Sequence, residues 1–491
     1  MPSRSAVRCS CGEGRKRSPP TVALRRFVSC ETLRPRAFDS ARIASPKRIH
    51  PLLTLIDLTK PGGRDALDER IARLRRATSA ADEHAATARA IIEAVARDGD
   101  DEVVRQMRKW TDPDFTKQRI RVDPAQIVEA EAKLSGPLRE AIDRSIEHVR
   151  TYQRHIMPTD HGPVVVDGAE LGLRFTPVDR VGLTIPGGSA PLFSSIIMLA
   201  VPAIVAGVAP ERIAIVHPPP YRTADAPPQD ISPIALATCG LLGVGRVYRI
   251  GGPAAVAALA MGTEAVEPVD LIVGPGHPVV AAAQGLLRGV VGTGDYYGAS
   301  EIVTVADESA DARCVASDLI AQAEHDPGKC FLVAWSAKVI ETVQAEVRRQ
   351  LPQRNRRPAI ESALQSESCA ILVGGAGQAV EVVNALACEH LNLAVAEPDA
   401  MLGSVRHAGE IFLGAQTPVA AGDYYAGPSH TLPTDTTARF ASGVSVYTFL
   451  KRTGTIQYRD GLPPQAVADI AAMAEAEGLD GHAASVRLRG T

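Results

Sequence analysis

The sequence predicts an α/β protein built on parallel sheets. From Arg180 onward, short apolar segments typical of strands alternate with segments of helical spacing, as in βαβ units. Glycine turns follow three of the predicted strands, at Gly187-Gly188, Gly251-Gly252 and Gly274-Pro275-Gly276. Ligands bind parallel sheets at the carboxyl ends of strands, so these turns are either candidate binding positions or simple tight turns. Aromatic residues form only 4% of the chain, which favours a helix-rich α/β protein over a β-sandwich.

The composition excludes several classes of protein. A chain of 491 residues is long enough for two or more domains, and its formal charge of −3 gives no indication of a nucleic-acid partner. The eight cysteines include no C-x-x-C pair, so we expect neither a zinc ribbon nor a disulfide framework and favour a reducing cytoplasm. The most apolar run, Ile196–Val208, is too short to span a bilayer and contains Pro202, so we expect no membrane segment.

Residues 1–50 differ from the rest of the chain. They are rich in Arg, Ser and Pro, contain few acidic residues and show no sustained periodicity. We interpret them as a disordered extension or a start codon assigned too far upstream. An organelle transit peptide has the same composition and is the alternative, which would change the expected location from the cytoplasm to an organelle.

The elements follow from the apolar pattern. Residues 64–155 are predicted to be helical, with Asp123-Pro124 opening a helix that runs to about His155. The predicted strands are Val165–Thr176, Arg180–Ile185, Ile213–His217, Arg246–Ile250, Leu271–Val273, Ile302–Ala306, Cys330–Ala334, Cys369–Val373 and Ser404–Leu413, with a period-two pattern over Ser442–Leu450. The predicted helices beyond them are Ile231–Leu242, Ala254–Met261, Ala312–Ala323, Ala337–Leu351, Ala379–Cys388 and Gln465–Glu477.

Three short stretches carry side chains that could do chemistry. Gln322 and His325 share one side of the end of helix Ala312–Ala323, where they could hold a metal or substrate, or could satisfy the last carbonyls of an ordinary helix. Glu389-His390, predicted at the end of a helix, is either an acid/base pair or a solvent-facing pair. The segment Gly422–His430 combines a carboxylate, a histidine and turn-forming residues, as site loops and ordinary turns both do.

Taken together, these stretches resemble the histidinol dehydrogenase family of zinc- and NAD-dependent enzymes. The resemblance extends from about Arg64 to Leu488. It is carried by Arg180–Pro191, Ser317–His325, Glu389–Leu391, Gly422–Pro433 and Thr437–Thr453, in that order along the chain.

The resemblance implies a role for particular residues. Gln322, His325 and Asp423 match three ligands of one zinc ion per subunit. His482 matches a fourth ligand, which comes from the other subunit of a homodimer; taken by itself, His482 would be predicted to be an ordinary surface residue. Glu389 and His390 match the catalytic acid/base pair. The positions that match substrate contacts are Ser300, Gln322, His325, His390, Asp423, His430, Glu477 and His482.

The resemblance also implies a fold and a reaction. The fold would be α/β, with two incomplete Rossmann-like parallel-sheet domains, a helical N-terminal region and a small C-terminal dimerisation segment. The first domain would combine residues 64–183 and 302–444, the second, nucleotide-binding domain 184–301, and the dimerisation segment 445–491. The reaction would be two NAD-dependent oxidations, from L-histidinol through histidinal to L-histidine, in the last steps of histidine biosynthesis.

The chain departs from the family at its NAD contacts. Thr184, Ala254 and His277 stand where the family usually has Tyr, Gln and Asn, which leaves the affinity and identity of the nucleotide open. One alternative is therefore a dehydrogenase of the same family that acts on another small polar alcohol. Others are a zinc hydrolase that uses Glu389 as base and a zinc-binding homologue without activity.

Overall fold

The structure, a computed structural model, describes residues 52–78, 82–187, 191–221, 228–325 and 327–490. The predictions for residues 1–50 and for Gly188 in the double-glycine turn fall outside these ranges. The strands are β1 (Thr54–Asp57), β2 (His161–Val166), β3 (Ala169–Pro177), β4 (Val181–Thr184), β5 (Ile213–Val216), β6 (Arg246–Tyr248), β7 (Leu271–Val273), β8 (Gly292–Thr293), β9 (Glu301–Ala306), β10 (Lys329–Ala334), β11 (Cys369–Leu372), β12 (His390–Ala394), β13 (Glu410–Leu413) and β14 (Leu450–Tyr458).

The α-helices connect and cover these strands. They are α1 (Gly63–Thr78), α2 (Asp82–Asp98), α3 (Asp100–Trp110), α4 (Pro124–Ala132), α5 (Gly136–His155), α6 (Phe193–Val205), α7 (Pro233–Leu241), α8 (Gly252–Met261), α9 (Pro278–Leu287), α10 (Ala312–Ala323), α11 (Ala337–Gln350), α12 (Arg357–Gln365), α13 (Ala376–Leu386), α14 (Pro398–Leu402), α15 (Val419–Tyr424), α16 (Pro464–Ala476) and α17 (Asp480–Arg487). Within the described residues, no helix combines the length and the apolar composition that crossing a bilayer requires.

Two parallel sheets confirm the predicted α/β fold. The first sheet has the strand order β1-β11-β10-β9-β12-β13 and the second the order β6-β5-β4-β7-β8, with every pair parallel. A third, antiparallel sheet with the order β14-β3-β2, the hairpin sheet, links the C-terminal segment to the middle of the chain.

The central strands of the first sheet are buried on both faces, as their continuous apolar sequences predict. Along β10, Phe331 and Val333 pack with α1 and α13, whereas Cys330 and Leu332 pack on the opposite face with α10, α11 and α12. This alternation is the two-residue period of a strand. A shift of one residue would exchange the two faces of β10, so the alternation specifies its register against β9, and in this register Lys329 lies opposite Glu301.

The N-terminal helices pack on the second sheet. Helix α2 contacts α8 and α9, α4 contacts α7, and α5 contacts α6. The predicted first domain had combined residues 64–183 with the first sheet. Of the N-terminal helices, α1 packs on the first sheet. From residue 51 onward the chain groups into one unit by its contacts, so the domain boundaries stay a prediction.

Three predicted elements differ from the structure in kind or continuity, and the predicted strand Ser404–Leu413 is a strand only from Glu410 onward. The predicted strand Val165–Thr176 is wrong because Asp167 and Gly168, with φ of 46° and 76°, turn the chain between β2 and β3. The single helix predicted from Asp123 to His155 is two helices, because Ser135 adopts an extended conformation between them. The period-two segment Ser442–Leu450 contains a 3-10 helix, and its strand begins only at its last residue.

We expect Phe331→Ala to lower the free energy of unfolding by about 3–5 kcal/mol, because Phe331 is 1% exposed in the middle of the first sheet and its removal leaves a cavity. Phe331→Leu should cost about 1 kcal/mol. Urea unfolding followed by circular dichroism measures both. The matched control is Phe440→Ala at a 76% exposed position, which should stay within about 0.5 kcal/mol of wild type. Equal losses at the two phenylalanines would contradict the packing.

Candidate active site

The candidate acid/base pair lies at the amino edge of the first sheet. Glu301, Lys329, His390 and Glu410 are the first residues of β9, β10, β12 and β13, so all four lie at this edge. The general rule for parallel sheets would have placed ligands at the opposite, carboxyl edge. In this protein the candidate site instead lies at the amino edge, where polar residues begin the strands.

The predicted position of Glu389-His390 at the end of a helix is wrong. Helix α13 ends at Leu386, where Ala387 has a φ of 46° and stops it. His390 then begins β12 and pairs with Ile302 of β9 and Glu410 of β13. Both members of the pair are therefore held by the sheet, and both are buried, with Glu389 5% and His390 1% exposed.

The Glu389 carboxylate is held through one oxygen. Its Oε2 accepts hydrogen bonds from the Ser300 hydroxyl at 2.6 Å and from the Glu301 backbone N–H at 2.7 Å. Burial raises the pKa of Glu389 well above the usual carboxyl value, although these two donors act in the opposite direction. A carboxylate with a raised pKa is a stronger base, so this side chain suits proton transfer.

His390 is a neutral imidazole with one nitrogen engaged. Its Nδ1 lies 3.2 Å from the Glu301 carbonyl oxygen, which can only accept, so Nδ1 carries the proton. The buried Nε2 has no hydrogen-bond partner within the described part of the chain. Burial lowers the pKa of His390 to about 4, with the nearby His325 and His430 acting in the same direction. The arrangement leaves the Nε2 lone pair available to accept a proton.

Gln322 joins the end of α10 to the acid/base pair. Its amide nitrogen donates to the Ser300 hydroxyl at 2.6 Å, and that hydroxyl donates onward to Glu389. The amide oxygen is thus the atom left to bind a metal. Helix α10 spans the predicted residues Ala312–Ala323, and Gln322 is buried while His325, just past the helix end, is exposed.

Asp423 and His430 are fixed to one another and to the second sheet. The His430 Nδ1 donates to the Asp423 backbone carbonyl at 2.8 Å, and its Nε2 accepts from the Ser195 hydroxyl at 3.0 Å. Ser195 belongs to the first turn of α6, which follows β4. The two sheets therefore contribute to one site, with the amino edge of the first facing the start of α6.

The predicted zinc ligands assemble only in part within one chain. His325 lies close enough to His390 and His430 to contribute to lowering the pKa of both, and Asp423 contributes to raising the same two pKa values. Within the described residues, no group of three or more His, Cys, Asp or Glu side chains could hold a metal ion. The predicted set supplies two such side chains from one chain, His325 and Asp423, together with the Gln322 amide.

The C-terminal candidates lie apart from this group. His482 is an exposed residue of α17, and Glu477 is exposed just after α16. These two helices pack on one another around Ala471, Ala474 and Ala483. In the described residues, no side-chain hydrogen bond or ion pair joins Glu477 or His482 to the other candidates.

The predicted nucleotide positions lie at the carboxyl edge of the second sheet. The Thr184 hydroxyl donates to the Pro275 carbonyl at 3.1 Å, Ala254 is buried in the first turn of α8, and His277 caps α9 by accepting from the Val279 N–H. Gly274 has a φ of 131°, and a Cβ there would lie 2.4 Å from the Thr184 carbonyl oxygen. Only glycine allows these two segments to approach so closely.

Several polar residues around the acid/base pair were not predicted from the sequence. The buried ones are Ser195, Glu301, Lys329 and Asp435, and Glu410 is partly buried. Burial raises the pKa of Glu301 and of Glu410 to about 7. The available signal was a charged residue at the first position of an otherwise apolar strand, which Glu301, Lys329 and Glu410 share.

Comparisons with known proteins agree on one family. The family model described as histidinol dehydrogenase matches residues 74–490. A histidinol dehydrogenase of Synechococcus sp. is 41% identical over 405 residues, which cover 82% of this chain and 92% of that protein. One from Bacillus subtilis is 39% identical over 422 residues, covering 86% and 96%. A crystal structure of histidinol dehydrogenase from Elizabethkingia anophelis matches with a TM-score of 0.82 and 29% identity, covering 90% of this chain and 98% of that one.

The burial of His390 predicts a loss of stability in acid. Its pKa is about 4 in the folded protein and about 6.5 in the unfolded chain, so between these values the unfolded state binds a proton that the folded state does not. His390 therefore contributes less stability as the pH drops from about 6.5 to about 4, whereas the raised pKa values of Glu301 and Glu410 act in the opposite direction across the same window. Thermal unfolding across this window should therefore show that His390→Gln gains stability relative to wild type as the pH drops.

The comparison isolates His390, because the other buried histidines, His217 and His430, and the buried carboxyls are the same in both proteins. His155→Gln, at an exposed position, controls for the substitution itself. An identical pH dependence in wild type and His390→Gln would contradict a neutral buried imidazole.

Proposed function

The chain belongs to the histidinol dehydrogenase family and is an oxidoreductase, and we propose that it oxidises L-histidinol through histidinal to L-histidine in two successive NAD-dependent steps. The observation that carries the proposal is the buried pair at the amino edge of the first sheet. There Glu389 is held by Ser300 and Glu301, while the neutral His390 keeps its Nε2 available.

His390 supplies the base for the first oxidation. The hydroxyl proton of the substrate would pass to Nε2 as NAD, when bound, accepts the hydride from the carbinol carbon, and the products would be the aldehyde and NADH. The Nδ1–H bond to the Glu301 carbonyl stabilises the imidazolium that forms. Because burial lowers the pKa of His390 to about 4, its imidazole is neutral across the physiological pH range, which is the form that can accept a proton.

Glu389 supplies the base for the second oxidation. The aldehyde must first add water: the water oxygen bonds to the carbonyl carbon, the ionised Glu389 carboxylate accepts one water proton, and the carbonyl oxygen takes a proton from the His390 imidazolium that the first step leaves. The resulting gem-diol would then pass a hydroxyl proton to the neutral His390 while a second bound NAD takes the hydride, which gives the acid. Ser300 and the Glu301 N–H hold Oε2 in place and favour the ionised form, and Oε1 is left to face the water.

Residues at the end of α10 and in α15 fit a zinc ion. Gln322, His325 and Asp423 would hold it together with His482 from a second copy of the chain, and two imidazoles, a carboxylate and an amide oxygen suit zinc. The Gln322 amide nitrogen donates a hydrogen bond to the Ser300 hydroxyl, which leaves the amide oxygen to bind the metal and supports this assignment. When bound, the metal would orient the substrate and polarise its hydroxyl group.

We propose a homodimer that works in the cytoplasm and binds NAD at the carboxyl edge of the second sheet. Exposure of His482 and Glu477 supports a site completed by a second copy. The described cysteines Cys239, Cys314, Cys330, Cys369 and Cys388 are all free, which suits a reducing compartment. Thr184, Ala254 and His277 would line the nucleotide side, where Gly274 allows close backbone approach.

One assay tests the proposed reaction. Purified protein with zinc and NAD receives L-histidinol, and NADH is followed by absorbance. We expect two NADH per L-histidinol consumed. Turnover of other small polar alcohols without turnover of L-histidinol would assign the chain to the alternative substrate class. The absence of dehydrogenase activity with any alcohol would contradict the proposal and favour a hydrolase or an inactive zinc-binding homologue.

Glu389→Gln should separate the two oxidations. The variant keeps the shape of the side chain but lacks the base for hydration, so it should bind zinc normally and release about one NADH per L-histidinol, with slow formation of L-histidine. Stopped-flow absorbance and product chromatography measure this. Glu397→Gln, at an exposed position, is the matched control and should behave as wild type. Normal rates for both steps in Glu389→Gln would refute its role.

Mixed dimers should test the shared site. His325→Ala and His482→Ala should each lose zinc and activity, because each removes one ligand from every site. Hybrids of the two variants should regain one intact site per dimer if His482 crosses to the partner subunit. Zinc content and activity after mixing and refolding measure the recovery, and no recovery would count against the crossing.

A further inference from the structure

A buried cluster of three charged residues lies behind the acid/base pair. The Lys329 ammonium forms an ion pair with Asp435, and its Nζ lies 3.6 Å from Glu301 Oε2. Exposure is 7% for Lys329 and 1% for each carboxylate. Two buried carboxylates with one ammonium are costly to place in a protein interior, since desolvation of the charges opposes their attraction. The presence of this cluster at the edge of the sheet therefore indicates a role other than stabilising the fold.

The cluster is attached to the backbone that holds both members of the pair. The Glu301 N–H donates to Glu389 Oε2 at 2.7 Å, and the Glu301 carbonyl accepts from His390 Nδ1 at 3.2 Å. The Lys329 N–H donates to the Ser300 carbonyl at 3.0 Å, and the Ser300 hydroxyl is the other donor to Glu389. Both hydrogen bonds to the Glu389 carboxylate thus come from residues 300 and 301, which Lys329 and Asp435 fix.

The backbone around Asp435 is strained in a way that serves this contact. Asp435 and Thr436 have φ of 54° and 69°, in the left-handed region that costs free energy for residues with a side chain. The strain orients the Asp435 N–H towards Glu301 Oε1, to which it donates at 3.0 Å. The neighbouring Thr434 hydroxyl accepts from the Gly298 N–H at 2.8 Å, so the same loop also fixes the approach to Ser300.

We propose that Glu301, Lys329 and Asp435 are positioning residues that hold the 300–301 backbone so that Glu389 and His390 are aligned for proton transfer. The inference rests on the proposed function, because that function gives the pair its catalytic role. The three residues act through Glu389 and His390 and do not contact the substrate. Their loss should therefore lower kcat more than it raises KM.

The principal variant is Glu301→Gln, which keeps the side-chain volume and the acceptor for the Asp435 N–H. We expect kcat for L-histidinol to fall by about ten- to a hundredfold, with KM changed by less than about threefold. Lys338→Met, at an exposed position of α11, is the control for Lys329→Met. Zinc content and thermal midpoint are measured on every variant, so a misfolded protein is not counted as a slow one.

The variant in which all three residues are neutral, Glu301→Gln with Lys329→Met and Asp435→Asn, separates positioning from stability. It removes the buried charges together, so we expect a thermal midpoint close to wild type and a kcat that stays low. Wild-type kcat in any folded variant would overturn the proposal. Loss of folding in every variant would also overturn it, because the cluster would then serve stability alone.

A measurement that requires no catalysis distinguishes a failure of the positioning proposal from a failure of the proposed function. Nitrogen-15 NMR of histidine-labelled protein reports which ring nitrogen of His390 carries the proton. We expect an Nδ1–H tautomer in wild type and a mixture with the Nε2–H tautomer in Glu301→Gln. If wild type turns over no L-histidinol, the proposed function fails, and the NMR result alone decides the positioning. An unchanged tautomer in the variant refutes the positioning.

Discussion

The hydrogen bonds from Ser300 and Glu301 to one buried carboxylate oxygen are the contact on which the candidate site depends. They hold Glu389 in the interior at the amino edge of the first sheet, where burial alone would oppose its ionised form. The same short segment also accepts hydrogen bonds from the His390 Nδ1–H and from the Gln322 amide nitrogen. A base, a second base and a candidate metal ligand are therefore aligned by two consecutive residues.

The second constraint is that the two parallel sheets meet at the candidate site, the first through its amino edge and the second through its carboxyl edge. The first sheet contributes the amino ends of its strands, and the second contributes the start of α6 through the contact between Ser195 and His430. With His430 engaged at both ring nitrogens, Asp423 is held through its own backbone carbonyl. The nucleotide positions lie at the carboxyl edge of the second sheet, which gives each sheet a separate task within one site.

Local patterns predicted much of the fold and part of the site. Helix α10 has the predicted bounds, β7 was predicted to the residue, and Asp123-Pro124 caps α4 as expected. These features depend on periodicity and capping within a few residues. Where a single residue changed the backbone direction, as at Asp167 or Ala387, the pattern gave a strand or helix end that the structure does not have.

The sequence by itself determined the alternation of strands and helices, the residue types available for chemistry and, through its resemblance to a family, which of them to group. The tertiary structure decided that the acid/base pair lies at the amino edge of a sheet, that α2 to α5 pack on the second sheet, and that Lys329 meets Asp435. The physical reason is that burial and pairing are non-local. The pKa values of Glu389 and His390 depend on which distant segments exclude water from them, and no pattern within a short stretch of sequence records that.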